Sequence, residues 1–322
     1  MNAAPPGCWV LSDGKAGTEN QCLGLADAVG LPYEVRRLTR GALSWIPAGI
    51  WANAGTLALR LASGGADLAP PWPRLLIAAG RPAVGPAIAL RRAARGATFV
   101  VQLQDPRVAP HHFDLVVPPE HDAVAGGNVI STVGALHRVT ESSLAAAHDT
   151  WRRRFAPLPT PRIAVLIGGS SKHHRMTPAV AARLGNDLRT LCRTAGAGLM
   201  ITASRRTDAA SLAALRTAIE GLPADLWDGR GDNPYQGMLA CADGIVVTAD
   251  SVTMASEAAS TGKPLFVAPL DGGGDKFTRF HEDLAARGIS RPFAGRWETW
   301  SYPPLRETDR IAAVVRERLG TA

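Results

Sequence analysis

Short apolar runs recur along this chain, each closed by a turn and followed by a stretch of helical periodicity. The pattern breaks once and then starts again. In the first half the runs are CWVL, YEVRRL, RLLIAAG, TFVVQLQ, DLVVPP and NVIST; after the break they are IAVLIGG, GLMITAS, DLWDG, GIVVTA and PLFVAP. Strands that are apolar at nearly every position belong to parallel sheets covered by helices on both faces. Amphipathic stretches such as TPAVAARLGNDLRTLCRTAG and DAASLAALRTAIEGL supply the covering helices. The proline-rich break at Pro157–Pro161 divides the chain into two doubly wound, Rossmann-like α/β domains, expected at residues 1–156 and 162–300. The segment PPLRETDRIAAVVRERL, within 301–322, reads as a closing helix. Ligands of such sheets sit beyond the carboxyl ends of the strands, so the expected site is a cleft between the two domains.

Composition narrows the function classes. At 46% hydrophobic and 20% charged residues the chain is globular. Its formal charge of +7 comes almost wholly from arginine and is diffuse. Without a dense basic block interleaved with aromatics, nucleic acid is not an expected partner, and anionic small molecules or an anionic membrane surface fit better. Cys8, Cys22, Cys192 and Cys241 form no C-x-x-C pair, which argues against a zinc or redox motif and for a reducing compartment. The N-terminus has neither a basic region nor an apolar run of the secretory type, so the expected location is cytoplasmic. Residues 42–59, ALSWIPAGIWANAGTLAL, carry no charge, but Pro47, Gly49, Asn53 and Gly55 make a poor spanning helix. Two readings stay open there. One is a buried helix with a loop; the other is an arginine-flanked patch that dips into an anionic membrane from its inner face.

Three strand ends in the second half carry chemistry. IAVLIGGSSKHHRM runs into Gly168, Gly169, Ser170 and Ser171, where paired glycines let backbone approach a ligand and serines and amides can meet phosphate oxygens. LMITASRRT ends in Ser204, Arg205 and Arg206, countercharge for a diphosphate or plain surface arginines. GIVVTADSVTMASEAASTGKPLFV places the turn Ala249-Asp250 before a helix capped by Ser251, whose first residues Val252, Thr253 and Met254 offer amides and the positive helix end. Glu257 follows on that helix, where a carboxylate can accept both hydroxyls of a ribose; an incidental glutamate on a crossover helix is the alternative. Neither a Walker-type loop nor G-x-G-x-x-G is present.

In the first half, SDGKAGTENQ puts Asp13, Gly14, Lys15, Gly17 and Thr18 on the turn from the first strand to a helix starting near Thr18. AAGRPAVGPA places Arg81 after a strand, and VQLQDPR places Gln104, Asp105 and Arg107 after another. These residues are acceptor-binding candidates, with glycine-turn and Asp-Pro or Arg-Pro turn chemistry as the alternative. Adjacent histidines at 111–112 and 173–174 rarely serve one ion and lack a third ligand at suitable spacing, so no metal is expected.

The second-half arrangement is similar to nucleotide-sugar glycosyltransferases of the GT-B fold, including the lipid II-forming N-acetylglucosaminyltransferase. That resemblance implies that Ser170 and Ser171 touch phosphate, Arg205 or Arg206 neutralises the diphosphate, the Ser251–Met254 amides meet phosphate, and Glu257 binds ribose. The chain as a whole resembles more closely the ELM-type mitochondrial fission family. The marks are WVLSDGKAGTENQCLGLADAVG, GRP, QLQDPR, ITASRRT, NPYQGMLACAD and ADSVTMASEA, spanning about Trp9 to Pro264. The implied reaction is sugar transfer from a nucleotide-diphosphate sugar, a substrate rather than a cofactor, to a hydroxyl on an envelope- or lipid-linked acceptor. Asp13 is the expected base and Asp105 the reserve. A non-catalytic nucleotide-sugar-binding or membrane-remodelling protein, and a nucleotide-sugar epimerase using His173, His174 or Asp250, are the alternatives.

Overall fold

The computed structural model describes residues 7–38 and 67–320. The chain divides into two compact units, one formed by Met1–Arg138 with Arg306–Ala322, the other by Val139–Leu305.

In the first unit, β1 (Cys8–Ser12), β2 (Tyr33–Arg37), β3 (Leu75–Ala79), β4 (Phe99–Leu103) and β5 (Leu115–Val117) form a parallel sheet in the order β2-β1-β3-β4-β5. Side chains alternate between faces along a strand, so a wholly apolar strand feeds two cores at once. Trp9, Leu11, Leu76 and Ala78 join one cluster with α2 (Arg81–Ala93). Cys8, Val10, Leu75 and Ile77 join the other with α1 (Ala16–Val29) and with Ile311, Ala312 and Val315. The chain winds one way from β1 to β2, then reverses to β3, which leaves the switch between the carboxyl ends of β1 and β3.

In the second unit, β6 (Arg162–Ile167), β8 (Gly198–Ala203), β9 (Ala224–Leu226), β10 (Gly244–Thr248), β11 (Leu265–Ala268) and β13 (Ser290–Pro292) form a parallel sheet in the order β13-β11-β10-β6-β8-β9. The reversal here falls between β6 and β10. A two-residue antiparallel ribbon, β7 (His174–Arg175) on β12 (Asp271–Gly272), joins the segment after β6 to the segment after β11.

The unit boundaries differ from the expected ones in two places. Helix α3 (Glu141–Phe155), expected in the first domain, belongs to the second unit. It packs against α6 (Tyr235–Cys241) so closely that a Cβ on Gly237 would lie 2.3 Å from Trp151 Cγ, and Arg154 grips the Asp225 carboxylate with both Nε and Nη2 at 2.7 and 2.8 Å. The closing helix α9 (Glu307–Leu319) returns to the first unit, where Thr308 exchanges hydrogen bonds with the His137 backbone at 3.1 Å. NVIST, expected as a strand, contributes only bridges at Val129 and Thr132, because Pro118 and Pro119 have no amide to continue a ladder. Among the described residues, no helix is long and apolar enough to cross a membrane. The suggested membrane patch, 42–59, lies outside the described residues.

Replacing Gly237 with Ala drives a methyl into the Trp151 ring and is expected to cost about 1–3 kcal/mol of stability. A fall in the urea midpoint of unfolding measures it, and an unchanged midpoint would show that α3 does not bear on α6.

Candidate functional site

Three adjacent strands of the second sheet, β8, β6 and β10, end beside its switch point, and their loops are tied together by one carboxylate. Asp250 has no exposed side-chain surface and is ion-paired with Arg206 at 2.7 Å. Its oxygens also accept the Thr248 hydroxyl at 2.6 Å and the Gly169 amide at 3.0 Å. Thr248 in turn accepts the Gly168 amide at 2.7 Å. These contacts explain the glycines differently from the sequence. A Cβ on Gly168 would lie 2.1 Å from Asp250 Oδ2, and one on Gly169 would lie 2.2 Å from the Arg206 backbone. The pair is required by the protein's own packing, and Asp250 holds the loop in place through these contacts.

The remaining groups divide into used and open ones. The amides of Ser170 and Ser171 donate to the carbonyls of Arg206 and His174 at 3.3 and 2.8 Å. Their hydroxyls accept amides of Met176 at 3.0 Å and of His173 and His174 at 3.2 and 3.1 Å. A hydroxyl that accepts keeps its proton to donate, so each serine retains an O–H donor while its amide is already used. Ser204 is internal to the loop, donating to the Gly168 carbonyl at 2.8 Å and accepting the Arg206 amide at 3.2 Å. Arg206 is held against Asp250 yet 41% exposed, and Arg205 is exposed.

Helix α7 (Val252–Ala259) opens at Ser251, whose hydroxyl accepts the Met254 amide at 3.2 Å. That cap consumes Met254 and leaves the first two helical amides, Val252 and Thr253, at the positive end of the helix. Glu257 sits a turn and a half further on, 9% exposed, with the Tyr235 hydroxyl donating to its Oε2. Burial pushes its carboxyl up to about 7, against the opposing pull of the Tyr235 hydrogen bond. Tyr235 and Thr248 escaped sequence reasoning. The tyrosine lies in the quoted NPYQGMLACAD stretch, and Thr248, like Ser12 of β1, is a hydroxyl that closes an apolar strand. The glycine run of PLDGGGDKF was also missed; there a Cβ on Gly274 would stand 3.3 Å from the His173 ring.

At the switch of the first sheet, the structure gathers Asp13, Gly14, Lys15, Thr18 and Gly80. The Asp13 side chain is 8% exposed and pairs with Lys15 Nζ at 2.5 Å. A Cβ on Gly80, whose φ is +81°, would lie 3.3 Å from the Thr18 methyl and 3.8 Å from Asp13 Oδ2. The helix begins at Ala16, not Thr18, and the Thr18 amide is spent on the Lys15 carbonyl at 3.0 Å. The open helix-start amides are those of Ala16 and Gly17. Arg81 opens α2 with an exposed side chain. Gln104 and Arg107 both adopt left-handed backbone, φ +67° and +58°, uncommon outside glycine. Gln104 donates to Gln21 on α1 at 3.3 Å, linking the β4 loop to α1. Asp105 closes on its own turn through the Arg107 amide and guanidinium at 2.8 and 2.7 Å. Among the described residues, no group of three or more His, Cys, Asp and Glu side chains is gathered as a metal would need.

The mitochondrial fission ELM1 family profile matches residues 16–319. The Mitochondrial fission protein ELM1 of Arabidopsis thaliana is 32% identical, over 96% of this chain and 90% of that one. Among solved structures, MurG of Acinetobacter baumannii matches with a TM-score of 0.53 and 12% identity, over 97% of this chain and all (100%) of its own. The UDP-GlcNAc 2-epimerase of Methanocaldococcus jannaschii, in complex with UDP-GlcNAc and UDP, matches with a TM-score of 0.53 and 9% identity, over 96% and 99%. The chain belongs to the mitochondrial fission ELM1 family and has a GT-B-like fold of two Rossmann-like domains.

Truncating Asp250 to Ala leaves the Gly169 amide, the Thr248 hydroxyl and Arg206 unmet. A loss of about 2–3 kcal/mol is expected, below that of a fully buried pair because the arginine reaches water. Urea unfolding reads it, and a wild-type midpoint would remove Asp250 as the anchor.

Proposed function

We propose that this protein is a GT-B-type glycosyltransferase that moves a sugar from a nucleotide-diphosphate sugar to a hydroxyl acceptor. The observation that carries the reading is the end of the second sheet. An exposed guanidinium, two serine hydroxyl protons and the two open amides of α7 meet at its switch point, a set suited to a diphosphate. Solved proteins with this fold bind UDP and UDP-GlcNAc, which supports the same reading.

In the reaction, the acceptor oxygen forms a bond to the anomeric carbon while the bond from that carbon to the diphosphate oxygen breaks. The proton of the acceptor hydroxyl passes to Asp13, and the diphosphate leaves as an anion met by Arg206, Arg205 and the α7 amides. Asp13 is preferred over Asp105 for its place: it follows β1 at the switch of the first sheet, whereas Asp105 follows β4, and each has both oxygens held by the basic residue two positions on. Lys15, the Ala16 and Gly17 amides, Arg81 and Gln104 are the proposed acceptor contacts, and Glu257 the proposed ribose contact. An epimerase would need acid and base groups open to the donor sugar. Asp250 has no exposed side-chain surface and His174 is 3% exposed, so His173 alone of the three candidates is open, and one open group rather than an acid–base pair favours transfer.

In a thermal-shift screen of nucleotides and nucleotide sugars, at least one nucleoside diphosphate or its sugar is expected to raise Tm; no shift from any of them would overturn the reading. With the donor identified, Asp13→Asn is expected to keep donor affinity within about twofold. Turnover should fall by about 10²-fold or more. Undiminished turnover would remove Asp13 as the base, and donor binding without turnover in the wild type would mark a binding protein.

A further inference from the structure

Tyr235 lies in a stretch that the proposed reaction leaves unused. It is the first helical residue of α6, and the Asn233 side chain accepts its amide at 3.0 Å, with Pro234 between them. Asn-Pro ahead of a helix fixes the entry of the chain. From that fixed point the phenol crosses to α7 and donates to Glu257 Oε2.

Glu257 needs such a partner. It is the one ionisable residue on α7, and the strands beside it, β10 (GIVVT) and β11 (LFVA), bring no charge. Helix α6 brings Tyr235 and Cys241. Lys263, at the turn into β11, directs Nζ to the Leu239 and Ala240 carbonyls at 2.7 Å each. Asp250, at the end of β10, is committed to Arg206. A carboxylate shut away from water without a cation resists ionisation, and a donated O–H is what favours the charged form.

Building on the proposed nucleotide-sugar reading, we infer that Tyr235 is a positioning residue that holds one oxygen of Glu257 and keeps the carboxylate ionised to accept a ribose hydroxyl. Ribose hydroxyls donate, so they bind the ionised carboxylate and not the protonated one. Affinity therefore rises with pH through the Glu257 midpoint, about 7, and levels above it. Removing the phenolic O–H removes a group that favours the charged form and moves that midpoint upward.

The test is UDP-GlcNAc binding to the full chain by calorimetry from pH 5.5 to about 9, a probe with no ionisation of its own near neutrality. The wild type is expected to bind about tenfold more weakly one unit below the midpoint than on the plateau. Tyr235→Phe should shift the midpoint up by about half a unit or more, and Glu257→Gln should flatten the curve. The 2′-deoxyribose counterpart of UDP-GlcNAc, tested on the wild type, should show a reduced pH dependence, which keeps the test decisive if a variant fails to fold. Binding with a flat wild-type curve, superimposable Tyr235→Phe and wild-type curves, or equal pH dependence for both sugars would overturn this inference and leave the donor reading standing. Absence of nucleotide-sugar binding to the folded wild type at every pH would overturn both.

Discussion

Taking a carboxylate wholly out of water costs several kcal/mol unless its lone pairs are met by well-placed donors. Asp250 is such a carboxylate, and its donors come from three places: Thr248 at the end of its own strand, Gly169 after β6, and Arg206 after β8. The requirement to satisfy one buried charge therefore dictates the path of three loops. It also explains why Gly168 and Gly169 admit no side chain, and why an arginine that reaches solvent is held in one place. A guanidinium already tethered loses less freedom when an anion arrives.

The first sheet has the same reversal of winding, but its tie falls to one side of the switch, where Glu19 on α1 accepts Ser12 at the end of β1 and Arg37 at the end of β2. Asp13 is tied to Lys15, two residues away and 67% exposed, and Asp105 to Arg107, also two residues away. These are local loops, the first running straight into α1 and the second joined to α1 through the Gln104–Gln21 bond.

Much of this was legible in the sequence because the signals were local. Wholly apolar strands such as LLIAA predict a sheet with two buried faces, and both faces are filled. Ser251 ahead of VTMASEAA predicts a cap, and the cap is present. What stayed hidden depends on contacts distant in sequence. That Gly168 makes room for Asp250, 82 residues later in the numbering, and that Glu257 is covered by Tyr235 cannot be inferred from either segment alone. Helix α3 was assigned to the wrong side of the chain because prolines mark a linker without saying which domain the preceding helix packs on; Trp151 against Gly237 decides that. The helix expected near Thr18 starts two residues earlier, at Ala16, and the Thr18 amide is therefore used by the Lys15 carbonyl.

The return of α9 to the first unit has a consequence for how the molecule is made. Ile311, Ala312 and Val315 are completely buried against the first sheet, beside residues near the other end of the chain such as Cys8 and Val10. During synthesis α1 can cover part of that face early, but the part that α9 shields stays open until residue 315 has left the ribosome. The second unit, one continuous stretch, is free to fold earlier. The second unit is thus complete in sequence at Leu305, before the first, and the face that α9 shields is the last of the amino-terminal sheet to be covered.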